Sequence, residues 1–334
     1  MPFPSGAVDA GSSPLRAQGS GRVPVRTVIV TAVLVVHDGA AWLKECLDAL
    51  ALQTRPLDRL VIVDTSSTDD SVRIAARHAR IRQVVGEVEA ISAPRESTFG
   101  EAVGRAVARI TTEPARESAT EPESAPALTG PTWLWLLHDD SAAAPEALTC
   151  LLDAALRSPS VGVAGPKLIT WDAPSRLLEL GSVITRSGRR VGGPATGEPD
   201  QGQHDHRGDV LGVSSSGMLI RLDVFEMLGG FDPAFGQFRD DLDLCWRAQL
   251  AGHRVVVAPR ARMPEGAALT NGQRSPDVPA GAARRSDRRP GRQVALASWS
   301  PYAAPFLATW IAVASLSSAS GLLVAKRPQA PGRR

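Results

Sequence analysis

Lysine is nearly missing from this chain, occurring only at Lys44, Lys167 and Lys326, so its positive charge rests on arginine. In a background rich in Ala, Gly and Pro, this reads as the mark of a GC-rich genome rather than of phosphate recognition. Basic and acidic residues almost cancel, 37 against 35, for a formal net charge of +2. No field of one sign then steers the molecule toward nucleic acid, and no nucleic-acid partner is expected. Cysteine is scarce as well. Cys46, Cys150 and Cys245 are far apart and odd in number, which excludes a disulfide framework and a CxxC metal pair and fits a reducing compartment. The N-terminus has no apolar h-region, so it is not a secretory signal; residues 1–26, rich in Gly, Ser, Pro and Ala, read as a disordered leader.

What is present is apolar patterning, with 43% of 334 residues hydrophobic, enough to bury one large core. Val28 to Val36 is a continuous β-branched run, the pattern of a strand buried on both faces. His37-Asp38-Gly39 makes a turn, and Trp42, Leu43, Cys46, Leu47 and Leu50 recur at helical spacing. A short strand, Leu60 to Val63, ends at Asp64; Thr68-Asp69-Asp70-Ser71 then caps a helix expected to reach Arg80. A weaker strand is expected near Gln83 to Val85, then a helix over Glu101 to Ile110. Residues 111–131, built of Glu, Pro, Ala, Ser and Thr, interrupt the pattern as a disordered insertion. It resumes with a strand at Thr132 to Leu137, a helix at Pro145 to Arg157, and strands at Val161 to Ala164, Ser214 to Ile220 and Arg254 to Ala258. Alternating strands and helices argue for a mostly parallel, Rossmann-like α/β sheet flanked by helices.

Three acidic sites follow strands. Asp64 ends one; His138-Asp139-Asp140-Ser141 follows Trp133 to Leu137; and Asp240, Asp241 and Asp243 open a helix after the Gly229-Gly230 turn. An acidic pair at the carboxyl end of a buried strand suits a hard divalent cation beside phosphates. Three carboxylates within four residues repel one another, so folding should separate their pKa values or pair them with a cation, a setting for a general base. Singly, each has a plainer reading. Asp64 would be a turn acid, Asp139 and Asp140 caps of the next helix, and Asp243 with Arg247 an i to i+4 pair on a helix surface. Trp246 divides between core residue and acceptor-site wall. His204, Asp205 and His206 read as a solvated acceptor loop in preference to a metal cluster.

Past Arg260 the character changes. Residues 266–293 form a polar linker with clustered arginines (Arg284 to Arg292), a basic patch suited to anionic lipid. Residues 294–325 carry no charge and read as a hydrophobic membrane helix, and residues 326–334 are a basic tail. One span leading outward would leave the preceding domain on the cytoplasmic face of the cell membrane.

Together the stretches VIVDTSSTDDS, LLHDDS, GMLIRLDVFEMLGGFD and FRDDLDLCWRAQLAGHRVVVAP resemble family 2 glycosyltransferases of GT-A fold, over about Thr27 to Pro259. The likeness is strongest to the actinobacterial membrane-linked branch, and it sets a GT-A domain over residues 27–265. The resemblance implies that Asp64 and Asp139, with His37 opening the first loop, bind a nucleotide-sugar donor of UDP or dTDP type. It implies that Asp140 holds Mg or Mn on the donor diphosphate, that Asp241 is the base of an inverting transfer, and that Asp240 and Trp246 border the acceptor. The acceptor implied is a cell-envelope glycan or a lipid-linked sugar.

Three departures from that pattern stand out. His138 occupies the place of the first acid of the DxD motif, which would lower metal affinity. Asp240 replaces the Glu before the base. Relatives place a metal-binding His after the VVVAP strand, whereas this chain reads Arg260-Ala261-Arg262-Met263-Pro264-Glu265. Either Glu265 substitutes as an oxygen ligand or the tail has lost function. A competing expectation is therefore a catalytically impaired domain serving as a membrane-associated scaffold. A nucleotidyltransferase would want a Gly-rich loop after the first strand, and Gly39 is a single glycine; the absence of a QxxRW motif argues against a processive synthase.

Overall fold

The computed structural model describes residues 28–112, 131–184, 190–191, 193–195, 197–235 and 240–266. The expected leader, most of the insertion, the linker beyond Gly266, the membrane helix and the basic tail lie outside the described residues. Among those described, no helix is long and apolar enough to cross a membrane.

In chain order the first half comprises β1 (Ile29–Val36), α1 (Leu43–Ala51), β2 (Arg59–Asp64), α2 (Ser71–Arg77), α3 (Ala79–Val84), β3 (Glu87–Ser92), α4 (Phe99–Thr112) and β4 (Thr132–His138). The second half comprises α5 (Ala147–Ala155), β5 (Val161–Thr170), β6 (Leu177–Glu179), β7 (Val183–Ile184), β8 (Arg190–Val191), β9 (Leu219–Arg221), α6 (Leu222–Met227), a short 3-10 turn (Pro233–Phe235), α7 (Asp240–Leu250) and β10 (Arg254–Glu265). The main sheet runs β10-β5-β9-β4-β1-β2-β3, with β6 beside β5, and β7 pairs with β8 separately. Only β9 and β6 run antiparallel to their neighbours in it. The carboxyl ends of β1, β2, β3, β4, β5 and β10 therefore share one edge.

The apolar runs form strands because both faces of the sheet are covered. Val30, Ala32, Leu34 and Val36 of β1 pack with Trp133, Trp135 and Leu137 of β4 against α1 and α5. The alternate residues, Val33, Val35, Leu134 and Leu136, pack on the other face with Ala102, Val103 and Ala106 of α4 and with Leu244 and Cys245 of α7. Strand periodicity thus assigns each residue of a continuous run to one of two cores.

Several expected boundaries move. The helix after Asp70 does not reach Arg80 unbroken; it stops at Arg77, and α3 starts after His78, whose Nδ1 accepts the Ile81 N–H at 3.2 Å as a cap. Gln83 to Val85 is accordingly the end of α3, not a strand, and the strand comes later as β3, whose Glu87 and Glu89 pair with Arg59 of β2. Thr111 and Thr112, assigned to the insertion, complete α4. The strand expected over Ser214 to Ile220 shortens to β9, because its first residues bend away to meet β4 through Gly217. β5 and β10 are each longer than expected. β10 continues beyond Pro259 through a bulge, its pairing to β5 jumping from Ala258 to Arg262.

Candidate active site

Register places the acids at the common edge. Asp64, last in β2, pairs with Val36, and His138, last in β4, pairs with Val35. The next residues, His37 and Asp139, meet there: the His37 N–H donates to Asp139 Oδ2 at 2.8 Å, and His37 Nδ1 lies 2.6 Å from Thr65 Oγ1. Asp139 is buried, and a β-carbon on Gly39 would sit 2.2 Å from its Oδ2, so this turn requires glycine. The Asp64 carboxylate accepts the Ser67 N–H at 3.3 Å, while its side chain remains part-exposed at the edge. His37 thus joins Asp139 to Thr65, the residue after Asp64, along one wall of this edge.

Asp38, with φ 47°, closes that wall. Its carboxylate accepts from Arg95 and from the Thr68 N–H at 2.7 Å. The Arg95 guanidinium holds the Asp38 carboxyl well below the usual carboxylate range, against the opposing pull of burial. Arg95 also donates to the Ser66 carbonyl at 3.0 Å, joining the loops after β1, β2 and β3. Sequence reasoning missed Arg95; only its place at the end of a strand could have marked it.

Asp140, buried beside Asp139, meets the end of β10. Ser141 pairs with Glu265 in an antiparallel bridge, and the Gly266 N–H donates to the Asp140 carbonyl at 2.8 Å. The long β10 thereby carries Glu265 to Asp140, two residues 125 apart in the chain. Both supply hard oxygen donors, the class taken by Mg or Mn, and such ions commonly use one or two carboxylates and fill the remaining positions with phosphate oxygens and water. Among the described residues no group of three or more His, Cys, Asp or Glu side chains could hold a metal ion by itself. Two such donors on adjoining backbone are within the number that these ions take from protein.

His138 has partners outside that acidic pair. Its ring stacks on Phe99 with centroids 4.2 Å apart, and Nε2 lies 3.1 Å from Ser215 Oγ. Phe99 in turn meets Phe231 edge-on at 6.0 Å. These contacts join β4 to α7, because Gly100, next to Phe99, abuts both Phe231 and Asp240 Oδ2.

Asp240 and Asp241 are both buried at the start of α7. Asp240 Oδ1 accepts the Asp241 N–H at 2.9 Å, and Asp241 Oδ1 accepts the Leu242 N–H at 2.7 Å. Burial, reinforced by the Asp241 charge, pushes Asp240 up to about 7. Burial also raises Asp243, against the opposing pull of Arg247. Asp243 and Arg247 do form the i to i+4 pair, at 2.7 Å, but not on the surface: Asp243 is buried, and Arg247 also donates to the carbonyls of Leu228 and Gly230. The pair secures α7 to the double-glycine turn. Trp246 is half-buried, and its enclosed indole N–H has no hydrogen-bond partner among the described residues. Five residues beyond Asp241, it points about 140° away around the helix, so the structure does not bring it to the Asp241 side.

The loop over residues 200–207 is not merely solvated. Asp205 pairs with Lys167 and His204 Nε2 lies 3.1 Å from Glu198 Oε1, so neither side chain is committed to a metal cluster with His206. A lysine inside the apolar run of β5, in a chain with only three, was the signal available for this contact.

In an open, mostly parallel α/β sheet, ligands bind outside the carboxyl ends of the strands, the edge along which these acids lie. The family model described as Glycosyltransferase like family 2 matches residues 24–290, and the chain belongs to that family of glycosyltransferases. Among curated relatives it is 27% identical over 247 residues to N-acetylglucosaminyl-diphospho-decaprenol L-rhamnosyltransferase of Mycobacterium tuberculosis, covering 71% of this chain and 76% of that one. It is 28% identical over 251 residues to Galactofuranosyltransferase GlfT1 of Mycolicibacterium smegmatis, covering 73% and 70%. Among solved structures, GalNAc-T7 with UDP, GalNAc and Mn2+ superposes with a TM-score of 0.51 at 12% identity. That match covers 71% of this chain and 43% of GalNAc-T7, and it shows a shared GT-A-type fold.

Proposed function

We propose that this glycosyltransferase moves a sugar from a nucleoside diphosphate, of UDP or dTDP type, to a hydroxyl of a cell-envelope glycan or lipid-linked acceptor, with inversion. The observation that carries the reading is the convergence of separate acids at one sheet edge: Asp64, Asp139, Asp140 and Glu265 on the strand ends, with Asp240 and Asp241 reached through His138, Phe99 and Gly100. The likeness to a rhamnosyltransferase and a galactofuranosyltransferase of mycobacteria supports an envelope acceptor. An acceptor of that kind lies at a membrane, which supports a site of action there.

In this scheme the loops after β1, β2 and β3 hold the nucleoside, with Asp64 and His37 at its wall. Asp140 and Glu265 would hold Mg or Mn, whose charge would offset the negative charge developing on the departing diphosphate. Asp241 takes the proton from the acceptor hydroxyl as its oxygen attacks the anomeric carbon. The carbon–oxygen bond to the diphosphate breaks from the opposite face, and its electron pair leaves on the nucleoside diphosphate. Asp240, keeping its proton near neutrality, withholds a second negative charge from the base beside it.

The test is Mn-dependent hydrolysis of nucleotide sugars by the full chain, alongside Asp140→Ala and Asp241→Asn. Turnover in the parent chain that vanishes in both variants is expected. Equal background in all three would favour the impaired, scaffold-type domain instead.

A further inference from the structure

Lys167 lies within β5, its side chain 3% exposed, in register with Arg262 of β10. Two cations are thus set side by side on neighbouring strands, where pairing resumes after the β10 bulge. Two carboxylates from one loop answer them. Asp200, itself 4% exposed, accepts from Lys167 Nζ at 3.0 Å and from Arg262 Nη1 at 2.9 Å, and Asp205 accepts from Lys167 as well. The four charges balance, and a buried ammonium demands such partners. Burial alone would raise Asp200, yet Lys167, the Gly202 N–H and Arg262 together hold its carboxyl below its ordinary value.

The loop between these acids is tightly self-bonded. The Gln201 N–H donates to Gln203 Oε1 at 2.7 Å, and Gln203 Nε2 donates to Glu198 Oε1 at 2.6 Å. Beyond it, residues 208–212 run along β10 and beneath the base helix. The Val257 N–H donates to the Gly208 carbonyl at 2.9 Å, Gln249 of α7 donates to the Leu211 carbonyl at 2.7 Å, and Gly212 abuts Leu242 next to Asp241. Lys167 and Arg262 lie toward the carboxyl ends of their strands, on the edge that carries Asp139 and Asp140. They occupy the half of the sheet opposite the nucleotide wall, the half to which α7 belongs.

We infer that Lys167 is a positioning residue for the acceptor: with Arg262 it anchors the loop over residues 200–207, whose exposed Gln201 and His206 face the hydroxyls of a neutral acceptor saccharide. This inference rests on the transferase reading and adds the residue that fixes the acceptor side of the cleft. Amide and imidazole groups both donate and accept, as sugar hydroxyls require.

The test compares the full chain with Lys167→Met, Asp205→Asn and the double variant, which restores charge balance with Arg262 and Asp200 alone. Hydrogen–deuterium exchange over residues 200–212 should rise about tenfold in Lys167→Met, with β1 and β4 unchanged, and return to within about twofold of the parent in the double variant. Saturation-transfer NMR with glucose, galactose, rhamnose and N-acetylglucosamine should show binding of at least one sugar to the parent, lost in Lys167→Met and regained in the double variant. Unchanged exchange in Lys167→Met, or a double variant no better than the single one, overturns the anchoring. Absence of any sugar signal in the parent, with a protected loop, overturns the acceptor role. Sugar binding without nucleotide-sugar hydrolysis in the parent would instead count against the transferase reading.

Discussion

Asp139 occupies the space that a side chain on Gly39 would need. The ideal β-carbon would stand 2.2 Å from Oδ2 and 2.6 Å from the carboxyl carbon. The same oxygen accepts the His37 N–H, so β4 and the loop after β1 are held together by one carboxylate. Gly39→Ala must push Asp139 off that N–H. The expected cost is about 1–3 kcal/mol in urea unfolding, with loss of nucleotide-sugar affinity in a thermal-shift panel containing Mn. A variant that kept its donor affinity would remove Asp139 from the nucleotide wall.

Arg95 makes a second hold on the same wall. Arg95→Ala leaves Asp38 without its guanidinium partner while the Thr68 N–H remains. With Arg95 partly exposed, the expected loss is about 1 kcal/mol at neutral pH. The pH dependence fixes the sign. The folded pKa of Asp38 is depressed below the unfolded 3.8, so its contribution is present above that value and fades as pH falls through the lower folded value. Arg95→Ala should therefore lose less stability than the parent on acidification below pH ~4, as measured by urea midpoints.

His138 offers a direct check on where the metal side of the cleft ends. Its ring stacks on Phe99 and reaches Ser215. Replacing it with an acid, His138→Asp, should leave the Mn concentration for half-maximal hydrolysis unchanged. It should cost about 1–2 kcal/mol through the lost stacking and a newly buried charge. A tighter Mn requirement in the variant would show that position 138 reaches the cation after all.

The extent to which sequence disclosed this architecture follows the physics of each element. β1, β2 and β4 were legible because a strand buried on both faces needs a continuous apolar run, and the acids that end β2 and β4 were legible with them. β3 was not: Glu87 and Glu89 break its apolar pattern, and their stabilising partner, Arg59, lies on another strand. The break at His78 escaped for a similar reason, since its Nε2 meets Asp48 of α1 at 3.1 Å, a contact thirty positions away. β10 looked finished at Pro259, because a proline and two arginines seldom sit inside a strand; a bulge accommodates them, and that bulge delivers Glu265 to Asp140. Asp241 was legible as an acid in a crowded helix start. That burial would raise Asp240 and Asp243 depended on how the start of α7 packs, which spacing alone does not decide.

Asp240 gives the sharpest pH signature. Burial and the neighbouring Asp241 raise its pKa from 3.8 to about 7 in the folded chain. Below pH ~4 the group is protonated whether folded or not, and its contribution to stability is at its fullest. As pH rises toward 7 the unfolded chain releases the proton while the folded chain keeps it, so stability falls; above the folded value both states are ionised and the slope ends. At about 1.4 kcal/mol per pKa unit, the decline attributable to this residue is on the order of 4 kcal/mol. Asp240→Asn, which keeps an oxygen to accept the Asp241 N–H, should flatten that slope and be more stable than the parent at pH ~8, with little difference at pH ~4. Urea unfolding at both pH values measures it. Parallel pH profiles for the two proteins would mean that Asp240 ionises like an ordinary surface acid, and that the like charge beside Asp241 is not withheld.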